Sequence, residues 1–395
     1  MGSFTGYRRE SGRVGIRNRV AVLPVSVATS SIAERIAARG GPTVVATPHQ
    51  MGTAQVDAAR EQTERVLVGT GRNPNVGAAL VVGLGTEAID ADDLADAIAT
   101  NGTPTESLEI RAVGGTKAGV KEGAELVAAL VGEAERARRE SADASELVFG
   151  VECGGSDATS GIAANPAVGN ACDRLVDAGG TASFSETPEF IGAEHVLAAR
   201  CASGTIRERL LERVERRESL ADAMGVDMRG AQPSPGNQEG GLTTIEEKSL
   251  GAIAKGGTTP IRGIVDYAEQ LPVGGGLVLM DTPGYDVESV VGKVAGGAQA
   301  VAFTTGRGST TGNPIAPVIK VTGNPDTADR MASNMDVDAS TVLQGESVAA
   351  VGDRIYQTLL SVADGTLTEA ERRGMTEFAI NEIQPRELAA LGDPL

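Results

Sequence analysis

In the first third of the chain, short β-branched runs alternate with segments whose apolar residues recur at helical spacing. Residues 20–25, 43–47, 78–82 and 108–113 read as strands. Residues 31–39, 54–69 and 91–99, with charged residues between their apolar positions, read as helices. Such alternation is the pattern of a parallel sheet covered by helices. A longer charged helix over about 117–140 leads into the polar stretch 141–145, which marks the expected domain boundary.

Beyond Leu147 the strand-like runs end abruptly in polar loops. Residues 147–151 run into Glu152-Cys153-Gly154-Gly155-Ser156-Asp157, and 181–184 into Ser185-Glu186-Thr187-Pro188-Glu189. Residues 277–280 run into Asp281-Thr282-Pro283, and 300–303 into Thr304-Thr305-Gly306-Arg307-Gly308. Open α/β sheets bind ligands at the carboxyl ends of their strands, where loops converge over a rigid base. A Gly/Pro-rich stretch at 229–244 is too long for a plain connection and reads as functional or disordered. The expected fold class is α/β: an N-terminal parallel α/β (Rossmann-like) layer over residues 1–142, followed by a larger α/β catalytic domain over 147–395.

Composition narrows the function. Among 395 residues, 53 acidic against 35 basic give a net charge of −18, a field that repels phosphate, and aromatics are 3% with no Trp. Nucleic acid is therefore a poor partner. The acid excess is spread over helix faces, as in residues 87–96, which fits a surface adapted to high salt. No apolar run approaches the ~18 residues that span a bilayer, and the start has no signal-peptide core, so no membrane partner and a cytoplasmic location are expected. Cys153, Cys172 and Cys201 form neither a disulfide framework nor a CxxC knuckle, and two histidines exclude a multi-histidine zinc site.

Several constellations carry chemistry. Gly83-Leu84-Gly85-Thr86-Glu87-Ala88 matches the G-x-G-x-x-A form of a dinucleotide turn, although no acidic residue follows at the needed strand end. The 152–157 loop, with Ser160 and Asn165, gathers carboxylates, a thiol and hydroxyls around a glycine backbone; the bland reading is a turn plus a helix cap. Lys248 and Lys255, two of only six lysines, fall seven residues apart on one helix. In an Arg-dominated chain this matters, because lysine loses its proton when buried and arginine does not. Thr304, Thr305 and Arg307 suit a carboxylate anchor. Lys320, alone in an apolar strand, is costly to bury unless paired, and so is expected to face the same cleft. His49 is open between base, ligand and turn residue, while His195 sits in an amphipathic helix.

These blocks resemble the altronate and galactarate dehydratase family, whose sulfolactate sulfo-lyase large subunits share the pattern. The match runs nearly end to end, through Gly6-Tyr7-Arg8-Arg9, Gly12-Arg13-Val14-Gly15, Glu152–Asp157, Ser160-Gly161, Asn165-Pro166, Phe184-Ser185-Glu186, Pro235-Gly236-Asn237, Glu247-Lys248 and Phe303–Gly308. The resemblance implies a divalent metal (Mn2+, Fe2+ or Mg2+) and removal of water from a sugar acid. Fused family members begin with a small β-rich domain that this chain lacks, which implies a separate small SAF-type subunit and an oligomer. Ala28, Thr53 and Thr86 stand where the family's dehydratases usually carry cysteines, which weakens the expectation of a thiolate-held iron.

The chemistry expected is β-elimination from an aldonate or aldarate, with abstraction of the proton α to the carboxylate. The assignments are Lys248 as base with Lys255 and His49 as rivals, and Glu152, Cys153, Asp157 and Glu186 as metal ligands. Ser156, Asn165, Asn237, Thr304, Thr305, Arg307 and Lys320 are expected to hold the substrate. The alternatives are a C–S lyase acting on sulfolactate, a nicotinamide oxidoreductase using the Gly83 turn, and an inactive scaffold subunit.

Overall fold

The computed structural model describes residues 2–383 apart from residue 56. The front of the chain runs β1 (Ser3–Arg8), β2 (Val14–Gly15), β3 (Arg19–Pro24), α1 (Val27–Ala37), β4 (Val44–Ala46), α2 (Asp57–Gly71), β5 (Val76–Gly83), α3 (Ala91–Ala99), β6 (Thr105–Glu109), α4 (Thr116–Ala134) and β7 (Arg139–Asp143). Strands β4-β3-β5-β6 form a parallel sheet in that order. Every residue of β5 is buried, as expected for a central parallel strand covered on both faces.

Two expectations shift. The fourth strand lies at Thr105–Glu109 instead of 108–113, because pairing of Thr105 with Ala79 and Glu109 with Gly83 sets its register; residues 110–113 run past the sheet into a glycine turn. The helix expected to reach residue 140 stops at Ala134, and Arg139–Asp143 pairs antiparallel with β1 in a small sheet of order β2-β1-β7. Only Ala142 of β7 is buried, so the polar stretch is an edge strand with one inward residue.

The rest continues through β8 (Val148–Cys153), α5 (Asn165–Asp177), β9 (Thr181–Phe184), α6 (Glu194–Ala199), α7 (Gly204–Ala223), α8 (Met228–Ala231), α9 (Pro235–Glu239), α10 (Ile245–Ile253), β10 (Ile261–Val265), β11 (Gly276–Met280), α11 (Asp286–Ala295), β12 (Ala300–Thr304), β13 (Val318–Thr322), α12 (Pro325–Arg330), β14 (Val337–Asp338), α13 (Val348–Ala363) and α14 (Glu369–Arg372). The Gly/Pro-rich stretch thus carries the short helices α8 and α9. Seven parallel strands form one sheet in the order β10-β11-β9-β8-β12-β13-β14. The order reverses at β8, which has β9 on one side and β12 on the other, and a crevice opens at such a switch point beyond the carboxyl ends.

The two sheets share a core. Val66 and Leu67 of α2 lie in one apolar cluster with Val290, Val291 and Val294 of α11, which covers the larger sheet. A buried Arg17–Glu371 ion pair at 2.7 Å ties the front of the chain to α14. No helix among the described residues is long and apolar enough to cross a membrane.

Candidate active site

Strand β8 delivers Glu152 and Cys153 at its carboxyl end. Successive strand residues face opposite sides of a sheet, and each of these meets a wholly buried lysine. On one side Lys293 of α11 donates to the Glu152 carboxylate and to Ser185 Oγ, with Ser289 Oγ at 3.1 Å. On the other, Lys255 Nζ donates to Cys153 Sγ at 3.0 Å, to Glu189 Oε2 at 3.2 Å and to the Glu186 carboxylate. Glu186 follows β9 with a left-handed backbone (φ 74°); its side chain meets Lys255, and its amide is bonded to Thr282 Oγ1 at 2.9 Å.

Close packing fixes Lys255. It lies on a 3-10 turn, Ala254–Gly256, that continues α10. A Cβ on Gly169 of α5 would stand 2.2 Å from the Ala254 carbonyl oxygen, and the Phe184 ring lies against Gly256. Gly161 and Gly251 pack backbone to backbone, so α10 approaches the turn 160–164 more closely than any side chain would allow.

Burial raises the proton affinity of Glu152, but the Lys293 charge outweighs it and keeps this carboxyl below the usual range. Burial pushes Glu186 well up, with the charges of Glu152 and Glu189 adding to it. Burial also raises Glu189, yet Lys255 and then Lys248 bring it below the ordinary value. The Cys153 thiol is raised by burial and by Glu189. Burial opposes the Lys255 charge, but Cys153, Glu186 and Glu189 more than offset this and hold it as an ammonium. Asp286, at the start of α11 beside Gly154, is pushed up to about 7 by burial and by Glu152.

A cavity of about 620 Å³ adjoins the cluster, walled by Glu189, Lys248, Arg217, Met224, Met228 and Tyr285 among others, with Gln50 from the N-terminal layer. Lys248 Nζ donates to Gln232 Oε1 at 3.1 Å and lies 3.7 Å from Glu189 Oε1. Lys248 also borders a second cavity of about 280 Å³, with Ser156, Asp157, Asn165 and Glu247.

Glu152, Cys153, Glu186 and Lys255 therefore meet in one buried cluster, and Lys248, Ser156, Asp157 and Asn165 meet at its flank. Asp157 stands outside the cluster: its Oδ1 accepts from Ser160 and Thr159, and its Oδ2 from Asn324 at 2.8 Å. Asn165 bridges Thr304 Oγ1 (2.6 Å) and the Gly251 carbonyl (2.9 Å), while Asn237 donates to the Ser156 carbonyl. Thr305 Oγ1 accepts from the Gly308 amide, and the half-exposed Arg307 side chain lies 3.6 Å from Glu239. Lys320 donates to the Ser309 and Thr311 carbonyls beneath the 304–312 loop, and burial pushes it down to about 8. His49 engages both ring nitrogens, at the carbonyl of Pro24 at the end of β3 and at the Met51 N–H, and His195 is exposed.

The sequence reading passed over Lys293, Glu189 and Asp286. Lysine scarcity was the available signal for Lys293: it belongs to the same set of six as Lys248, Lys255 and Lys320. The Gly83 turn binds its own anion, since the Glu87 carboxylate accepts from the amides of Leu84, Gly85 and Thr86. A phosphate has no free cradle there.

For the family's divalent metal, the donor chemistry fits. Cys153 Sγ and carboxylate oxygens of Glu186 and Glu189 lie within 4.8 Å of one another, a group able to hold an ion. A thiolate beside two carboxylates suits a first-row transition ion better than Mg2+. Of the four expected ligands, Cys153 and Glu186 belong to this group, Glu189 joins them, and Glu152 and Asp157 stand outside it.

Fold and site together define an α/β enzyme with a buried lysine–carboxylate centre at the switch point of a parallel sheet. Two family models match: the second domain of D-galactarate dehydratase/altronate hydrolase over residues 6–135, and the C-terminal domain of D-galactarate/altronate dehydratase over 144–385. The chain belongs to the D-galactarate/altronate dehydratase family. It is 41% identical over 384 residues to (2R)-sulfolactate sulfo-lyase subunit beta of Chromohalobacter salexigens, covering 96% of this chain and 97% of that protein. It is 32% identical to altronate dehydratase of Bacillus subtilis, covering 96% of this chain and 77% of the relative. To galactarate dehydratase (L-threo-forming) of Escherichia coli it is 37% identical over 301 residues, 74% of this chain and 57% of the relative. These relatives are lyases, and the chain is a lyase.

Proposed function

We propose that this chain is the catalytic subunit of a β-eliminating lyase for a short 2-hydroxy carboxylate, with (2R)-sulfolactate as substrate and sulfite as leaving group. The observation that carries the reaction class is the buried Lys255–Glu186–Glu189–Cys153 centre opening, through Glu189 and Lys248, onto the 620 Å³ cavity. The sulfonate is favoured by the higher identity to the sulfo-lyase subunit, 41% against 32% for the altronate dehydratase. By the same likeness the chain works with a small partner subunit.

Of the four buried or half-buried lysines, Lys248 alone borders the cavity. In its neutral form its amine takes the α-proton, and the resulting ammonium lies beside the Glu189 carboxylate. The C–H electron pair forms the new double bond, and the C–S pair departs with sulfite. The enol then tautomerises to a 2-keto acid. Arg217, held by Asp281 at 3.0 Å, borders the same cavity and offers a second cation to a dianionic substrate. Lys255 keeps Glu189 ionised while itself buried from substrate. The Cys153, Glu186 and Glu189 donors, whose chemistry would suit a Lewis-acidic ion, hold the Lys255 ammonium instead.

A second reading, water elimination from an aldonate or aldarate, is favoured by the altronate dehydratase likeness over 96% of the chain. Hydroxide leaves only with a proton, so this reading needs an acid at the cavity as well as the base. The test is to incubate the protein, with its small partner, with (2R)-sulfolactate, altronate and galactarate, with and without Mn2+ or Fe2+. Sulfite release from sulfolactate alone supports the first reading. A 2-keto-3-deoxy acid from either sugar acid, with no sulfite, overturns it in favour of the second.

A further inference from the structure

The donor group that suits a metal already surrounds a cation. We propose that the Cys153–Glu186–Glu189 group is a cation site whose resident is the Lys255 ammonium, and that Lys255 and a divalent metal ion are mutually exclusive occupants of it. The inference concerns the same cluster as the proposed reaction, but it stands on cation binding, which is measured without substrate.

Three observations carry it. First, Lys255 Nζ touches every donor of the group: Cys153 Sγ at 3.0 Å, Glu189 Oε2 at 3.2 Å and Glu186 Oε2. These donors lie within 4.8 Å of one another. An ion bound at the roughly 2.0–2.3 Å typical of carboxylate and thiolate ligands would fall on the space that Nζ fills. Second, Lys255 has nowhere to go. Its residue has no solvent exposure, and its turn is fixed by Gly169 under Ala254 and by Arg200, which donates to the carbonyls of Gly256 and Thr259 at 3.2 and 3.0 Å. Third, a further buried carboxylate, paired with Lys293 through its other oxygen, flanks the group. Glu152 is wholly buried, its carboxyl contacts Glu186, and its Oε1 has no hydrogen-bond partner. Taking the ammonium away would leave a largely buried nest of oxygens and sulfur, reached from the cavity through Glu189, with no positive charge at its centre, which is a metal site in everything but its ion.

The arrangement makes Lys255 a positioning residue with an unusual consequence: its removal should create metal affinity, where a lysine with a purely structural role would leave none behind. The experiment titrates Co2+ and Mn2+ into the full-length wild-type protein, K255A, K255Q and the double variant K255A/C153S. Circular dichroism checks the fold of each, and bound ion is counted by elemental analysis. The expected result is about one equivalent of Co2+ in K255A, bound at least ~100-fold more tightly than in the wild type. It should carry the thiolate-to-Co2+ charge-transfer absorption that K255A/C153S lacks. K255Q, neutral but nearly as long, reports the same loss of charge if K255A does not fold. A wild-type protein that takes up a stoichiometric ion with the charge-transfer band overturns the proposal, because the lysine would then have yielded its place. A folded K255A or K255Q that binds no more tightly than the wild type also overturns it. Neither outcome depends on which substrate the enzyme uses, so sulfite release can fail while this result holds, and the reverse.

Discussion

Glu152 and Lys293 form an ion pair between β8 and α11 with neither side chain exposed to solvent. Two charges withdrawn from water hold only while each has the other. Replacing Lys293 by Met leaves Glu152 buried without a counter-charge, and the expected loss is about 3–5 kcal/mol of unfolding free energy. The double variant K293M/E152Q should recover much of it. Urea denaturation of the three proteins checks this, and a K293M protein within 1 kcal/mol of wild type would contradict the pairing.

Gly169 lets the turn carrying Lys255 seat against α5, since a Cβ there would stand 2.2 Å from the Ala254 carbonyl oxygen. Backbone cannot swing aside as a flexible side chain can. G169A is expected to destabilise the fold by about 1–3 kcal/mol, as overpacking does, and to lower kcat by displacing Lys255. G251A, which meets the Gly161 backbone at 3.0 Å, should behave likewise. Thermal melts and lyase assays on the two variants test both.

The fold was readable because its strands are apolar runs that end in polar loops: 181–184 matches β9, and 277–280 and 300–303 fall within one residue of β11 and β12. β7 was not readable, since Arg139–Asp143 has a single apolar inward residue and is defined by its pairing with β1, more than 130 residues earlier. Of the residues in and beside the buried cluster, lysine scarcity singled out Lys248 and Lys255, and the strand-to-loop pattern singled out Glu152, Cys153 and Glu186. Lys293 stayed hidden in an ordinary amphipathic helix, because its partner comes from a strand 141 residues away. Polar type alone also could not separate residues that border the cavities from Asn237 and Lys320, whose groups hold loops.

Lys248 is the lysine that borders both cavities. K248A is expected to lower kcat by roughly 10²–10⁴-fold, the range for losing a positioned proton-transfer group. Its fold should be unaffected, since the side chain lies at the cavity wall. K248R, charged but unable to lose its proton, should bind substrate with a near-normal KM and turn over as poorly as K248A. Normal turnover by K248R would remove proton transfer from the role of this residue.

Asp286 is raised from its ordinary value to about 7, first by burial and then by Glu152. The native state thus binds its proton more tightly than the unfolded chain does. Its contribution to stability is complete below about pH 4 and is lost as pH rises to about 7. D286N should flatten this part of the stability profile and make the protein more stable than wild type at pH 8, by roughly 2–4 kcal/mol at ~1.4 kcal/mol per unit. Denaturation midpoints between pH 4 and pH 8 give the slope directly, and parallel profiles for the two proteins would show that Asp286 titrates normally.

Glu87 closes the turn after β5 on itself: its carboxylate accepts from three successive amides and from Ser26 Oγ at 3.1 Å. Those hydrogen bonds hold it below the usual carboxylate range although burial works the other way. A turn of this shape would otherwise suit a phosphate, so the side chain blocks the ligand that its glycines resemble. Wild-type protein is therefore expected to leave the fluorescence of NADH unchanged on titration. E87A should lose about 1–2 kcal/mol of stability, because two of the three freed amides can turn to solvent. Its lyase turnover should stay within twofold of wild type, as Glu87 lies in the N-terminal layer and borders neither cavity. Saturable NADH binding by the wild-type protein would show that the turn opens to a nucleotide, and would return the oxidoreductase reading to consideration.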